Sequence, residues 1–319
     1  MSESSKSEPL RFFDRDAVAA ALPWDELIAA IEQVLADPNA HAPQRTVHEV
    51  PVPDAADASM LLKPGWVIGD VIAVKVVTFF PDNGAKDLPT INAGVLLFDA
   101  TTGVMLGACD GNELTTRRTA AASAVAAKRL ARDDARRLLV VGTGALAPHT
   151  AEAHAAVRSY EGIDIWGRNP EKARIVANAL IAEGLPARPV EDLDAAVPEA
   201  DVITAVTGAR HPLVKGALVR PGTHIDLVGA FTAEMRESDD QLIEKASLFV
   251  DTQPGAVMAG DLAKPLASGL ITEADINAEL HELVRGEHPG RVDPDEITVF
   301  KSSGIALEDV AAARLVFAN

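Results

Sequence analysis

The stretch RRLLVVGTGALAPHTAEAHAAV, residues 136–157, constrains this chain more than any other. An apolar run of strand character ends in Gly142, Thr143, Gly144, Ala145, Leu146 and Ala147, and a helical pattern follows at once. G-x-G-x-x-A in a strand–turn–helix context is a dinucleotide fingerprint. Gly142 permits the tight turn, Gly144 lets the backbone approach a pyrophosphate, and Ala147 lets the helix sit close to the strand. The helix N-terminus then faces the anion.

The segments around the fingerprint repeat its rhythm. GIDIWG leads into a helical NPEKARIVANALIAEG, and ADVITAV, THIDLVG, ASLFVD and ITVFK follow as further strands. Alternation of this kind predicts a doubly wound parallel sheet over residues 121–301. Residues 1–120 read differently. SMLLKPGW, DVIAVKVVTFFP and AGVLLFDATTGVMLGACDG are short Val-, Leu- and Phe-rich strands, and one helix, AVAAALPWDELIAAIEQVLAD, precedes them. The expected fold class is α/β, a Rossmann-type sheet joined to an α+β domain. The closing GIALEDVAAARLVFA is read as an amphipathic helix that returns to the first domain, so that residues 302–319 complete it.

Composition removes several classes of partner. Lys and Arg number 29 against 47 Asp and Glu, a net charge of −18 with no basic stripe, so a nucleic-acid or anionic-membrane surface is not expected. An anionic small molecule then needs its own local cations. Cys109 is the single cysteine, which rules out an internal disulfide, suits a cytoplasmic location and reads as a small buried hydrophobe. No apolar run reaches the ~20 residues of a membrane span, and MSESSKSEP reads as a frayed leader without the apolar stretch of a signal peptide. No metal-ligand pattern is seen.

An NAD-preferring site has an Asp or Glu after the second strand; here IDIWGRNPEK offers Gly167, Arg168 and Asn169. An arginine matches a 2′-phosphate in charge and fork geometry, so NADP(H) is preferred, with NAD(H) as the alternative. Thr207, after ADVITAV, and Ser303, in SSG, are further candidate cofactor contacts, although each hydroxyl equally suits a turn. Elsewhere Arg45, Lys75 and Arg118 stand out. Lys75 interrupts an apolar strand and must find solvent, a partner or a ligand, because an unpaired buried ammonium is costly. Arg117 and Arg118 are placed at the start of a helix, where the dipole disfavours cations, which points to an anion.

The strings AVKVVTFFPDN, LLFDATTGVMLGACDGNELTTRRTAAASAVAAKRLA, VVGTGALAPHTAEA, IWGRNPEKA, GTHIDLVGA and KSSGIALEDVAAA resemble the ornithine cyclodeaminase and μ-crystallin family across nearly the whole chain. The resemblance implies a homodimer whose substrate domain also forms the subunit contact. It implies too that Arg45, Lys75 and Arg118 surround a substrate carboxylate facing a nicotinamide. Members include ornithine cyclodeaminases, alanine dehydrogenases, ketimine reductases and thyroid-hormone-binding crystallins.

In HIDLVGAFTAE the strand end carries Phe231, where cyclodeaminases and alanine dehydrogenases have an aspartate that moves protons. Leu61 likewise stands where a cyclodeaminase is expected to have an acid, and Lys63 replaces the family's usual methionine. LVGAFTAEMRE is similar to bacterial Δ1-pyrroline-2-carboxylate reductases. The resulting expectation is NAD(P)H-dependent reduction of a cyclic imine carboxylate, Δ1-pyrroline-2-carboxylate or Δ1-piperideine-2-carboxylate, to L-proline or L-pipecolate. In that reading Lys75 or solvent protonates the nitrogen, Arg45 and Arg118 bind the carboxylate, and Phe231 packs on the ring. Amino-acid oxidation or cyclodeamination, and a crystallin-like binding protein without catalysis, remain as alternatives. Asp226 is read as a structural hydrogen-bonding group by strand parity, and His48, Glu49 and His224 as capping or surface groups.

Overall fold

The computed structural model describes residues 10–318, so the expected leader MSESSKSEP lies outside it. Two sheets organise the chain. The first has seven strands, Arg11–Phe13, Ala40–His41, Thr46–Val50, Ala58–Val67, Val71–Phe79, Ile91–Asp99 and Met105–Asp110. Its four longest neighbours run antiparallel; Arg11–Phe13 adds in parallel at one edge. Strand alternation directs Lys63, Ala73, Lys75, Val95, Leu97 and Cys109 to one covered face. On that face lie the helices Gly111–Leu130 and Ala306–Ala318, with Trp24–Ala36 packed over them.

The early helix is two helices rather than one, Arg15–Ala21 and Trp24–Ala36. Pro23 explains the break, since it lacks an N–H and forces Leu22 out of the helical region, to φ −121 and ψ 61. AGVLLFDATTGVMLGACDG is a hairpin of two strands. The long helix begins at Gly111, capped by Asp110, whose Oδ1 accepts from Glu113 N at 2.7 Å. Arg117 and Arg118 therefore sit inside the helix and do not open it. The closing helix is not amphipathic: Glu308, Asp309, Val310, Ala311, Ala312, Ala313, Val316 and Phe317 are all buried, because it is sandwiched between the sheet and Trp24–Ala36. The short strands Thr46–Val50, Ala187–Val190 and Ile276–Glu279 add to those expected.

The second sheet is wholly parallel, in the order Ala187–Val190, Gly162–Trp166, Arg137–Val141, Val202–Ala205, His224–Leu227, Thr298–Lys301, Ser247–Val250 and Ile276–Glu279. From the fingerprint strand the chain steps outward in one direction through two strands, then returns to build the other side. That reversal falls between Arg137–Val141 and Val202–Ala205, and ligands of such sheets bind beyond the strand ends at this switch point. Among the described residues no helix is long and apolar enough to cross a membrane.

Candidate active site

The fingerprint loop leaves the sheet at the switch point. Gly142 has φ 137, and a Cβ there would meet Val206 O at 2.8 Å, so the turn presses against the chain leaving the neighbouring strand. Around Gly144 a Cβ would meet nothing within 4 Å, which leaves that backbone open to a ligand, and Ala147 is fully buried under its helix. The helix Leu146–Val157 has no side-chain cap, and since Ala147 N donates to Gly144 O at 3.1 Å and Pro148 lacks an N–H, an anion there is left to the amides of the turn itself. These features fit a dinucleotide pyrophosphate. A Cβ on Gly167 would lie 2.5 Å from Thr143 Cγ2, which holds the turn after the second strand against the fingerprint loop. Arg168 follows it, exposed and without a hydrogen bond or ion pair among the described residues. Asn169, expected at the cofactor, caps the helix Pro170–Ala182, accepting from Glu171 N at 3.0 Å.

The three cations expected as one cage lie in two layers. Arg45 lies half-exposed on the wall of a cleft of about 730 Å³, which Val47, Lys63, Thr252, Ser303 and Gly304 also line. Lys75 and Arg118 are buried behind that wall, and each already has an acidic partner. Lys75 Nζ donates to Asp309 Oδ1 at 2.7 Å and to Thr115 Oγ1 at 3.1 Å. Arg118 Nη1 donates to Glu308 Oε2, and its Nε stands 2.9 Å from Asp309 Oδ1. Lys63 Nζ donates to Gly304 O at 3.0 Å and lies 3.5 Å from Asp309 Oδ2. A Cβ on Gly304 would meet Arg118 Nη1 at 2.5 Å, so the Ser302–Gly304 turn is the layer between Arg118 and the cleft.

Burial and the neighbouring charges set the protonation of this cluster. Burial, with Arg118 and Lys63 adding to it, holds Lys75 well below the usual lysine range against the pull of Asp309. Burial alone would raise Asp309, but Lys75, Arg118 and Lys63 outweigh it and hold the carboxyl well below its ordinary value. Glu308 goes the other way: burial pushes it up to about 7 in spite of Arg118. Sequence reading overlooked both acids. The available signal was a Glu-Asp pair inside an otherwise Ala-rich apolar helix, which, like the lone lysine in its strand, demands partners.

The remaining candidates are engaged internally. Ser303 N and Oγ donate to Asp251 at 2.5 and 3.0 Å, and Gly304 N also donates to it, so this acid shapes the turn. Thr207 N and Oγ1 donate to Glu237 Oε1 at 2.6 and 2.9 Å. Phe231 is 46% exposed on its loop and is not among the residues that line this cleft. Asp226 is buried; its Oδ1 accepts from His224 Nε2 at 2.9 Å, and its Oδ2 lies 3.0 Å from His154 Nε2. Burial opposes ionisation there, and the two histidines nevertheless hold the carboxyl at about 2. His224 is therefore an interior group, not the surface or capping residue expected. His48 and Glu49 are exposed, and Leu61 is half-buried opposite Val47. No group of three or more potential metal ligands occurs among the described residues.

Residues 12–319 match the ornithine cyclodeaminase/mu-crystallin family. The chain is 36% identical to a Δ1-pyrroline-2-carboxylate reductase of Paracoccus denitrificans over 98% of its own length and 97% of the relative's. It superposes with TM-score 0.90 and 34% identity on a Thermococcus litoralis Δ1-pyrroline-2-carboxylate reductase in complex with NADH and L-proline, over 96% of both chains. An archaeal alanine dehydrogenase dimer with bound NAD gives TM-score 0.89 at 28% identity, over 97% of this chain and 95% of that one. The chain belongs to the ornithine cyclodeaminase/mu-crystallin family.

Proposed function

We propose that this chain is a nicotinamide-dependent ketimine reductase that converts Δ1-pyrroline-2-carboxylate to L-proline and Δ1-piperideine-2-carboxylate to L-pipecolate. The observation that carries the reading is the end of the strand His224–Leu227. Phe231 follows it, Asp226 is held by histidines, and Glu237 is filled by backbone donors. An amine oxidation needs a free base there, whereas a preformed C=N bond does not.

Gly142, Thr143, Gly144, Ala145, Leu146 and Ala147 hold the pyrophosphate, with Thr207 and Ser303 in the loops that border the nicotinamide. When bound, the reduced nicotinamide supplies a hydride to the imine carbon. Arg168, unpaired and beside the fingerprint loop, supports NADP(H) over NAD(H). Asn169 serves this pocket by fixing the helix that follows Arg168. Arg45 and Lys63 receive the carboxylate from the cleft, and Arg118 supports them from behind Gly304. Lys75, held below the usual lysine range, is disposed to give up a proton from Nζ to the imine nitrogen and regains one from solvent, while the Asp309 carboxylate steadies its charged form.

We assign residues 1–120 and 302–319 to substrate binding and dimerisation, and 121–301 to the dinucleotide. The outer face of the first sheet presents Leu62, Trp66, Ile72, Val74, Val76, Leu96 and Phe98, all only half-buried, which supports a homodimer closed sheet to sheet. The lone buried thiol of Cys109 supports a reducing, cytosolic setting.

The test follows NADPH and NADH absorbance with each imine, beside ammonia release from ornithine. Imine-dependent oxidation of the cofactor without ammonia is the expected result. Ammonia without imine reduction would overturn the reading, and no turnover of either would favour a ligand-binding protein.

A further inference from the structure

Glu237 is fully buried, and its carboxylate joins two loops that leave adjacent strands. One oxygen, Oε1, accepts from Thr207 N at 2.6 Å and Thr207 Oγ1 at 2.9 Å, in the loop after Val202–Ala205. The other, Oε2, accepts from Gly229 N at 2.8 Å and Ala230 N at 3.1 Å, in the loop after His224–Leu227. The first loop borders the switch-point crevice, since Val206 touches the fingerprint turn at Gly142. The second runs directly into Phe231.

Such an arrangement is costly to build, and the surroundings show how it is held. Glu237 N and Ser238 N donate to Asp261 Oδ1 at 2.8 and 3.0 Å, and Lys301 Nζ lies 3.3 Å from Asp261 Oδ2 while donating to Leu227 O at 2.9 Å. The backbone of Glu237 is also fixed: Leu213 N and Val214 N both donate to its carbonyl at 2.9 Å. Burial pushes the Glu237 carboxyl up to about 7, with Lys301 opposing, Asp261 adding to the rise, and the Thr207 and Ala230 amides favouring the ionised form. A buried acid with four donors divided evenly between two strand-end loops does more than satisfy itself: it sets how far apart those loops stand.

We propose that Glu237 is a positioning residue that clamps the Thr207 loop to the Gly229–Phe231 loop and so fixes the width of the crevice receiving the nicotinamide and the imine ring. This rests on the nicotinamide reading above. Glu237 touches neither ligand; it acts through Thr207, Gly229 and Ala230.

The test is Glu237→Gln in the full chain, with Glu237→Asp as the second variant. A glutamine keeps the shape but turns one acceptor into a donor facing an N–H. Hydrogen exchange without nucleotide should accelerate about tenfold or more in peptides covering 204–210 and 227–232, as expected for losing bonds to a charged acceptor, with 137–141 unchanged. NADPH affinity, read by its fluorescence, should fall by about tenfold as well. Glu237→Asp keeps the charge near Lys301 but is one methylene short, so at least one of the two loops should still exchange faster. Unchanged exchange in both variants, or uniform acceleration across both sheets, overturns the clamp. A wild type that binds neither NADPH nor NADH overturns the cofactor reading instead, and the exchange data then judge the clamp alone.

Discussion

Asp309→Asn is the most informative single perturbation of this molecule. The carboxylate lies 2.7 Å from Lys75 Nζ, 2.9 Å from Arg118 Nε and 3.5 Å from Lys63 Nζ, and every group in the set is buried. Asparagine preserves the shape and removes the charge, leaving three interior cations with Glu308 as their nearest counter-charge. Deleting one partner of a buried pair costs about 3–5 kcal/mol, whereas a solvated pair costs under about 1 kcal/mol. Denaturant unfolding at neutral pH should therefore show a loss of about 4 kcal/mol through a lower midpoint with an unchanged slope. Converting both partners, Asp309→Leu with Lys75→Met, should recover only the share due to Lys75, because Arg118 and Lys63 still lack the carboxylate. The folded carboxyl lies below its ordinary 3.8, so its stabilisation is present above that value and is lost as pH falls further; wild type and variant should converge in acid. A penalty below about 1 kcal/mol, or one abolished by roughly 1 M salt, would refute the buried cluster.

Three further outcomes are expected. Glu308 is raised from 4.5 to about 7, so the wild type should lose about 3 kcal/mol of stability as pH rises through that window. Glu237, likewise raised to about 7, adds a slope of the same sign, so Glu308→Gln should remove only its own share, as thermal unfolding at pH 5 and 8 can read; an undiminished slope would assign it wholly to other groups. Arg168→Asp should move the kcat/KM ratio from NADPH towards NADH by about tenfold or more, one charge-assisted contact being exchanged for a repulsion; an unchanged ratio refutes the ribose-phosphate assignment. Lys75→Ala should cut imine reduction by about 100-fold, the lower range of general-acid contributions, and wild-type rates would move the proton transfer to solvent.

Local features of this fold were legible and distant ones were not. The fingerprint and the strand–helix rhythm after it are written in contiguous residues, as is the Asp110 and Glu113 spacing that starts the long helix, although that start was missed. Pro23 equally announces the break between the first two helices. Thr46–Val50 escaped because four of its five residues are exposed and show no apolar alternation. Lys75 and Arg118 could be recognised as needing counter-charges, but those lie 234 and 190 residues further along the chain. No periodicity links positions that far apart; only the return of the last helix to the first sheet brings them together.

That return changes what the cations can bind. Lys63, Lys75 and Arg118 face Asp309, Glu308 and Asp251, while burial lowers both lysines and pushes Glu308 up to about 7, so each charge in the cluster is held against desolvation. The cluster faces the cleft through Lys63, with Arg45 on the same wall. A substrate carboxylate entering there favours the charged form of Lys63, and a neutral or cationic ligand does not. The two acids on the closing helix thus keep the cations affordable when no substrate is present, without neutralising the attraction that brings an anion in.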